Sequence, residues 1–82
     1  MLKKISVRIE DVYVPTKRRK MLDAERVLAL AEDVLVNSQK TPIRIRKDGD
    51  RFVLLEGLHR LEALRSLGEE TIDGYLVQGR LH

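Results

Sequence analysis

The sequence of 82 residues contains no cysteine. That excludes a disulfide scaffold, thiolate zinc ligands and a cysteine nucleophile. It has two histidines, His59 and His82, too few for a histidine-based metal cluster. Aromatic residues make up 4% of the chain, which leaves little to stack the bases of a nucleic-acid single strand. Apolar runs extend over a few residues only, far below the ~20 that a membrane-spanning helix requires. Near the N-terminus, Lys3 and Lys4 lead into alternating residues and not into the apolar core of a signal peptide. The expectation is a cytoplasmic protein with no membrane partner.

Hydrophobic residues are 43% and charged residues 35%, a globular mixture. One domain spanning residues 1–82 is expected, since a chain of this size buries only roughly 60% of its unfolded surface and supports a single core. Lys and Arg number 16 against 13 Asp and Glu, a net charge of +3. The total decides little, but the charge is concentrated. Lys17, Arg18, Arg19 and Lys20 form an unbroken run, and Arg44, Arg46, Lys47 and Arg51 cluster further on. Such patches suit phosphate, on a nucleotide or on nucleic acid. The plain alternative is a solvated face.

Residues 4–9 alternate, with Ile5, Val7 and Ile9 apolar and Ser6 and Arg8 between them, the period of a half-buried strand. Val12 to Val14 are expected to continue it after Glu10-Asp11, and Pro15 with the basic run to form a loop. Asp23 is placed to cap a helix. After it, Val27, Leu30, Ala31, Val34 and Leu35 make one apolar stripe of about three turns, ended by Asn37 and Ser38. Arg26, Glu32 and Asp33 fall off that stripe. Pro42 opens a strand in which Ile43 and Ile45 point one way, Arg44 and Arg46 the other. Asp48-Gly49 is a hairpin signal, and the apolar run Phe52–Leu55 reads as a return strand buried on both faces. A second helix carries Leu61, Leu64 and Leu67 and stops at Gly68. Ile72 and Tyr75 to Val77 read as a last strand. Tyr13 and Tyr75 are expected at the edge of the core, Met21 in a loop or packing role, and His82 in a disordered terminus. The fold class is α+β, a small mixed β-sheet with helices packed on it in layers.

The chemistry concentrates where the buried strand meets the second helix, Glu56-Gly57-Leu58-His59-Arg60. The first N–H groups of a helix lack internal partners and carry about half a positive charge. Gly57 leaves room for close approach of a phosphate. Arg60 can grip phosphate oxygens bidentately, and His59 can donate a hydrogen bond or move a proton. Two cationic side chains here oppose the helix dipole by about 0.3–1 kcal/mol each, which a bound anion would offset. The alternative is that His59 and Arg60 cover the sheet edge and pair with Glu56 or Glu62.

Pro42-Ile43-x-Ile45, then a strand, then Gly57-x-His59-Arg60 and a helix ending at Leu67-Gly68, resembles the ParB/sulfiredoxin superfamily. Upstream, Pro15-x-x-Arg18-Arg19, Asp23 and the helix through Ala31-Glu32-Asp33-Val34 look like the N-terminal domain of ParB-type partition proteins, also described as a ParB-like nuclease domain. The resemblance covers about residues 5–77. It implies a nucleotide-binding fold in which Gly57, Leu58, His59 and Arg60 hold the phosphates of ATP or CTP, usually with Mg²⁺. Thr41 to Ile43 would form the floor, and Arg18 and Arg19 would lie near nucleotide or DNA. In sulfiredoxins the residue before the His is the attacking Cys. Here it is Leu58, so that reaction has no nucleophile. Free-serine kinases of the superfamily carry an acidic residue after the Pro of the early loop. Here Thr16 and Lys17 follow Pro15, although Glu56 stands where the kinase motif has its Asp. Full-length ParB proteins continue into DNA-reading and dimerisation domains; ending at His82, the sequence is expected not to be a complete partition protein and resembles a stand-alone domain.

Three functions follow. The first is a nucleotide-binding domain with slow Mg²⁺-dependent hydrolysis, in which Arg60 and the helix start hold phosphates, His59 polarises the reacting one or shuttles a proton, and Glu56 orients water or metal. The second is a DNA-binding or nuclease module using Lys17, Arg18, Arg19, Lys20, Arg44 and Arg46; against it stands the lack of a helix rich in base-reading side chains. The third is a regulatory protein that keeps the fold without catalysis. The basic places 17–20, 44–51 and 59–60 could face one phosphate-bearing ligand. Oligomeric state is left open.

Overall fold

The computed structural model describes residues 2–38 and 41–77; His82 lies outside them. Five strands form one mixed sheet: β1 Lys3–Arg8, β2 Val12–Tyr13, β3 Ile43–Asp48, β4 Arg51–Glu56 and β5 Thr71–Leu76, in the order β1-β5-β3-β4-β2. β1 and β5 are antiparallel, as are β3 and β4; β3 runs parallel to β5, and β2 parallel to β4. The helices are α1 Thr16–Arg19, α2 Ala24–Asn37 and α3 Leu58–Ser66. The expected α+β layering is what the chain adopts.

The central strand β3 shows why the sheet holds. Ile43 and Ile45 are fully buried while Arg44 and Arg46 are exposed, as period-two alternation requires. Leu54 of β4 and Leu61 and Leu64 of α3 are equally inaccessible and join them in one apolar cluster. Burying each such side chain contributes about 1.5–3 kcal/mol. Val53 and Leu54 are both buried, so β4 is covered on its two faces, as its apolar run indicates. α3 ends on a Schellman motif: Gly68 has φ +82°, its N–H donates to the Arg65 carbonyl at 3.1 Å, and the Glu69 N–H donates to the Leu64 carbonyl at 3.1 Å.

Four local expectations are corrected. Val12 to Val14 do not continue the first strand. A single 3₁₀ turn, Ile9–Asp11, breaks it, and β2 lies at the opposite edge of the sheet from β1. Ile9, Val12 and Val14 are all buried, so the core anchors this crossing segment. The basic run is not a loop: Thr16–Arg19 form one helical turn following Pro15, whose carbonyl accepts from the Arg18 and Arg19 N–H groups. The hairpin loop is Gly49-Asp50, because Asp48 pairs with Arg51. Leu35 does not belong to the buried stripe of α2. It is 69% exposed, and Leu28 and Val36 are also exposed, whereas Ala31 and Val34 are buried with Val27 and Leu30 beside them half-buried.

Two substitutions separate core from surface. Leu54→Ala is expected to cost about 2–5 kcal/mol of unfolding free energy, the range for a buried leucine. Leu35→Ala should stay within about 0.5 kcal/mol of the parent, as exposed sites do. Urea denaturation of both variants measures the difference; a large loss at Leu35 would return that residue to the core.

Candidate functional site

The two longer helices begin differently. At α2, the Asp23 carboxylate accepts from the N–H groups of Glu25 (3.0 Å) and Arg26 (3.5 Å), an ordinary side-chain cap. At α3 the N-cap position is Gly57, which has no side chain to offer. The first intrahelical bond is Leu61 N–H to the Gly57 carbonyl, 2.9 Å. The amides of Leu58, His59 and Arg60 therefore lack an intrahelical acceptor, and none is supplied among the described residues. No acidic residue occupies that first turn.

Gly57 is dictated by geometry. Its φ is +107°, and a Cβ there would lie 2.7 Å from the Ile43 Cγ2 and 3.3 Å from the Ile43 Cα. The missing side chain lets α3 start directly against the first residue of β3. The space it leaves is taken up by Ile43, not by an approaching ligand.

A pocket of about 650 Å³ opens at this helix start. Arg26 of α2, Arg44 of β3 and Arg60 of α3 line it, with Glu56 as the single carboxylate among the described residues. Thr41, Pro42, Leu30 and Tyr75 complete much of the wall. Arg44 Nε lies 3.5 Å from Glu56 Oε1; both side chains are well exposed, so water screens that pair and it contributes little. Glu62 pairs with Arg65, and neither His59 nor Arg60 pairs with Glu56 or Glu62. Arg26 and Arg60 have no ion-pair partner among the described residues. A smaller cavity of about 180 Å³ at the same turn is lined by Arg18 and Met21 with Glu56 to His59.

His59 is half-buried, and its Nε2 accepts a hydrogen bond from the Asp23 N–H at 3.1 Å. A ring nitrogen that accepts carries no proton, so the N–H of the neutral imidazole is at Nδ1. Leu58 has its side chain in the apolar core, leaving its amide as the group that can meet a ligand.

The expected site residues thus converge in part. Thr41, Glu56, Gly57, Leu58, His59 and Arg60 all line the larger pocket, and Arg44 joins them. Arg18 reaches only the smaller cavity; Lys17, Arg19, Lys20 and Arg46 line neither. Lys47 sits over the Phe52 ring at 5.0 Å, and Arg51 over the Tyr13 ring at 4.1 Å while also pairing with Asp48. The three basic places are not gathered in one pocket: Arg44 and Arg60 line the larger and Arg18 the smaller, while Arg51 lies five residues along β4 from Glu56, roughly 17 Å at strand rise. Arg26 and Tyr75 were not anticipated in the site. Arg26 carried a usable signal: it is a cation in the first turn of a helix, the same unfavourable placement that singles out Arg60.

Among the described residues no group of three or more His, Cys, Asp or Glu side chains comes together to hold a metal. Glu56 alone fits the mode of Mg²⁺, which binds one or two carboxylates and takes its other ligands from phosphate and water. No helix among the described residues is long and apolar enough to cross a membrane.

A mixed five-stranded sheet with three helices matches the fold of sulfiredoxin and of ParB N-domains. A sulfiredoxin from Arabidopsis thaliana superposes with a TM-score of 0.81 at 23% identity, covering 94% of this chain and 86% of that one. The C-terminally truncated chromosome-partitioning protein ParB from Caulobacter crescentus, complexed with CTP-γ-S, superposes at 0.75 and 18% identity, covering 98% of this chain and 46% of that one. A free serine kinase variant in complex with AMP gives 0.78 at 17% identity, covering 90% and 30%. The chain thus spans most of the sulfiredoxin but less than half of the other two. No curated protein sequence matches it. Residues 3–80 match the ParB N-terminal domain family, and the chain belongs to that family.

Gly57→Ala should destabilise the fold by about 2–4 kcal/mol, from left-handed backbone strain together with the forced retreat of Ile43. Gly68→Ala has positive φ but nothing within 4 Å of the added methyl, so it should cost less. Denaturant midpoints of the two variants check the ranking; equal losses would mean that contact with Ile43 is unimportant.

Proposed function

We propose that the pocket at the start of α3 binds the phosphates of a nucleotide, ATP or CTP, with Mg²⁺. The observation that carries this reading is a helix start with three amides unsatisfied among the described residues, no side-chain cap and no acid in its first turn, in a pocket lined by arginines from three separate elements. An anion at that position gains from the helix dipole and from charge-assisted bonds together. The volume is within the range for small-ligand sites. Support comes from two structural relatives solved in complex with CTP-γ-S and with AMP.

In this reading Arg26, Arg44, Arg60 and the amides of residues 58–60 hold phosphate oxygens, with the Thr41 hydroxyl at the rim. Tyr75, Leu30 and Pro42 offer an apolar wall for the nucleoside. Glu56 is the carboxylate available to hold Mg²⁺, or to take a proton from water as it attacks the terminal phosphorus and the bond to the leaving diphosphate breaks. His59 has only its Nδ1–H free to face a phosphate.

A second reading, contact with DNA phosphates, rests on α1. Lys17, Arg18, Arg19 and Lys20 are all exposed and without ion-pair partners among the described residues. The two readings are compatible, because the run lies outside the larger pocket.

Calorimetry with ATP, CTP and GTP, each with and without Mg²⁺, tests the assignment. Arg60→Ala and Arg26→Ala should each weaken binding about 10- to 100-fold, the worth of a hydrogen bond to a charged group. Lys17→Ala and Lys20→Ala together should leave nucleotide affinity unchanged but reduce any retention of duplex DNA at ~50 mM salt. Equal sensitivity of nucleotide binding to both pairs would refute a phosphate site in the pocket.

A further inference from the structure

We infer that His59 is a positioning residue: its Nε2 holds the start of α2, and through it Arg26, against the phosphate pocket. The inference rests on the nucleotide reading above for its consequence, but its structural half stands on its own.

The first turn of α2 has little else to hold it. Leu22, Asp23, Ala24, Glu25 and Arg26 are all exposed, and the first buried residue of the helix is Ala31. Val27, one turn in, and Leu30 are only half-buried, and full burial begins at Ala31, roughly 12 Å along the axis from Asp23 at ~1.5 Å per residue. A first turn with no buried side chain is the part of a helix most open to fraying. The Asp23 side chain is engaged within its own helix, capping Glu25 and Arg26. Its N–H is the group that reaches across to α3, 36 residues away in sequence, and the acceptor is His59 Nε2.

That bond lies between two arginines that need placing. Arg26, three residues after Asp23, lines the larger pocket; Arg18, five residues before Asp23, lines the smaller cavity. Both elements meet at the segment the imidazole holds. An arginine already in place loses less freedom when it binds, and the affinity gain from such preorganisation appears without any contact by the residue that supplies it. The geometry also sets the tautomer: Nδ1 carries the proton, so His59 cannot donate from Nε2 to a phosphate while the latch is closed.

The test has a ligand-free and a ligand-bound arm. Without nucleotide, ¹⁵N NMR of the neutral imidazole should show the Nδ1–H tautomer. The Asp23 amide should exchange slowly in the parent and in His59→Gln, whose Oε1 can replace Nε2 as acceptor, and rapidly in His59→Ala and His59→Asn. With nucleotide, His59→Ala should weaken binding about fivefold, the scale of one hydrogen bond, and His59→Gln should restore most of it. In the Arg26→Ala background, His59→Ala should then cost almost nothing further, because the two act as one unit. Additive losses would mean that His59 touches phosphate itself and would overturn the positioning role. An Nε2–H tautomer or an unprotected Asp23 amide in a protein that binds nucleotide would overturn the latch alone. Absence of nucleotide binding by the parent would overturn the proposed function, while slow Asp23 exchange would still uphold the latch.

Discussion

Contact between Gly57 and Ile43 sets the position of everything at the pocket. The chain leaves β4 at Glu56, turns through a residue with φ +107°, and enters α3 with the backbone pressed on the first residue of β3. No L-residue with a side chain adopts that turn without strain, and none fits the 2.7 Å space above Ile43. Because the turn is this tight, the open end of α3 is held at the edge where β3 begins. Arg44, one residue beyond Ile43, then lines the same pocket as Arg60 and the first turn of α3. Leu58, Leu61 and Leu64 meanwhile lock α3 into the core, so the open amides and Arg60 sit on a firmly packed element.

The electrostatic consequence is a contrast between two helix starts. α2 satisfies its own first amides with Asp23; α3 leaves its amides open and surrounds them with cations. A helix start without cap or acid, facing three arginines, is unfavourable on its own, since each misplaced cation costs a few tenths of a kcal/mol or more at short range. An oligophosphate reverses the sign of every one of those terms. The arginines also differ in what holds them. Arg44 rises from the central strand, Arg60 from a buried helix, and Arg26 from an exposed first turn tied down by one imidazole.

Much of this was legible in the sequence, for identifiable reasons. Period-two alternation marked Ile43 and Ile45 correctly because β3 has one covered face, and Gly68 marked the end of α3 because a Schellman turn needs positive φ. The pattern failed where periodicity is insensitive to what lies opposite. Leu35 has the spacing of a core residue, but the sheet and α3 do not extend to cover it. Val12 and Val14 look like more of the first strand, yet the 3₁₀ turn carries them to the far edge of the sheet. At the site, Glu56 to Arg60 were found because they are contiguous, and Arg44 was seen as basic but grouped with Arg46, which lines neither of the two cavities at the turn. Arg26 was missed because its proximity to Arg60 depends on how α2 crosses α3, which no local pattern encodes. The engagement of His59 with Asp23 was invisible for the same reason.

Membership of the ParB N-terminal domain family agrees with the fold, and one position shows how the scaffold is reused. Leu58 stands where the sulfiredoxin resemblance places a reactive thiol, and here that side chain is folded into the apolar core, leaving its backbone N–H to the pocket. Under the proposed function, the turn meets phosphate through its backbone and offers no nucleophile. Amide NMR of the ¹⁵N-labelled protein, titrated with ATP or CTP in the presence of Mg²⁺, tests the central claim most directly. The account predicts saturable shifts at His59, Arg60, Arg26 and Arg44, with residues of the 48–51 hairpin unmoved. An unchanged spectrum at millimolar nucleotide, or shifts confined to Lys17–Lys20, would contradict it.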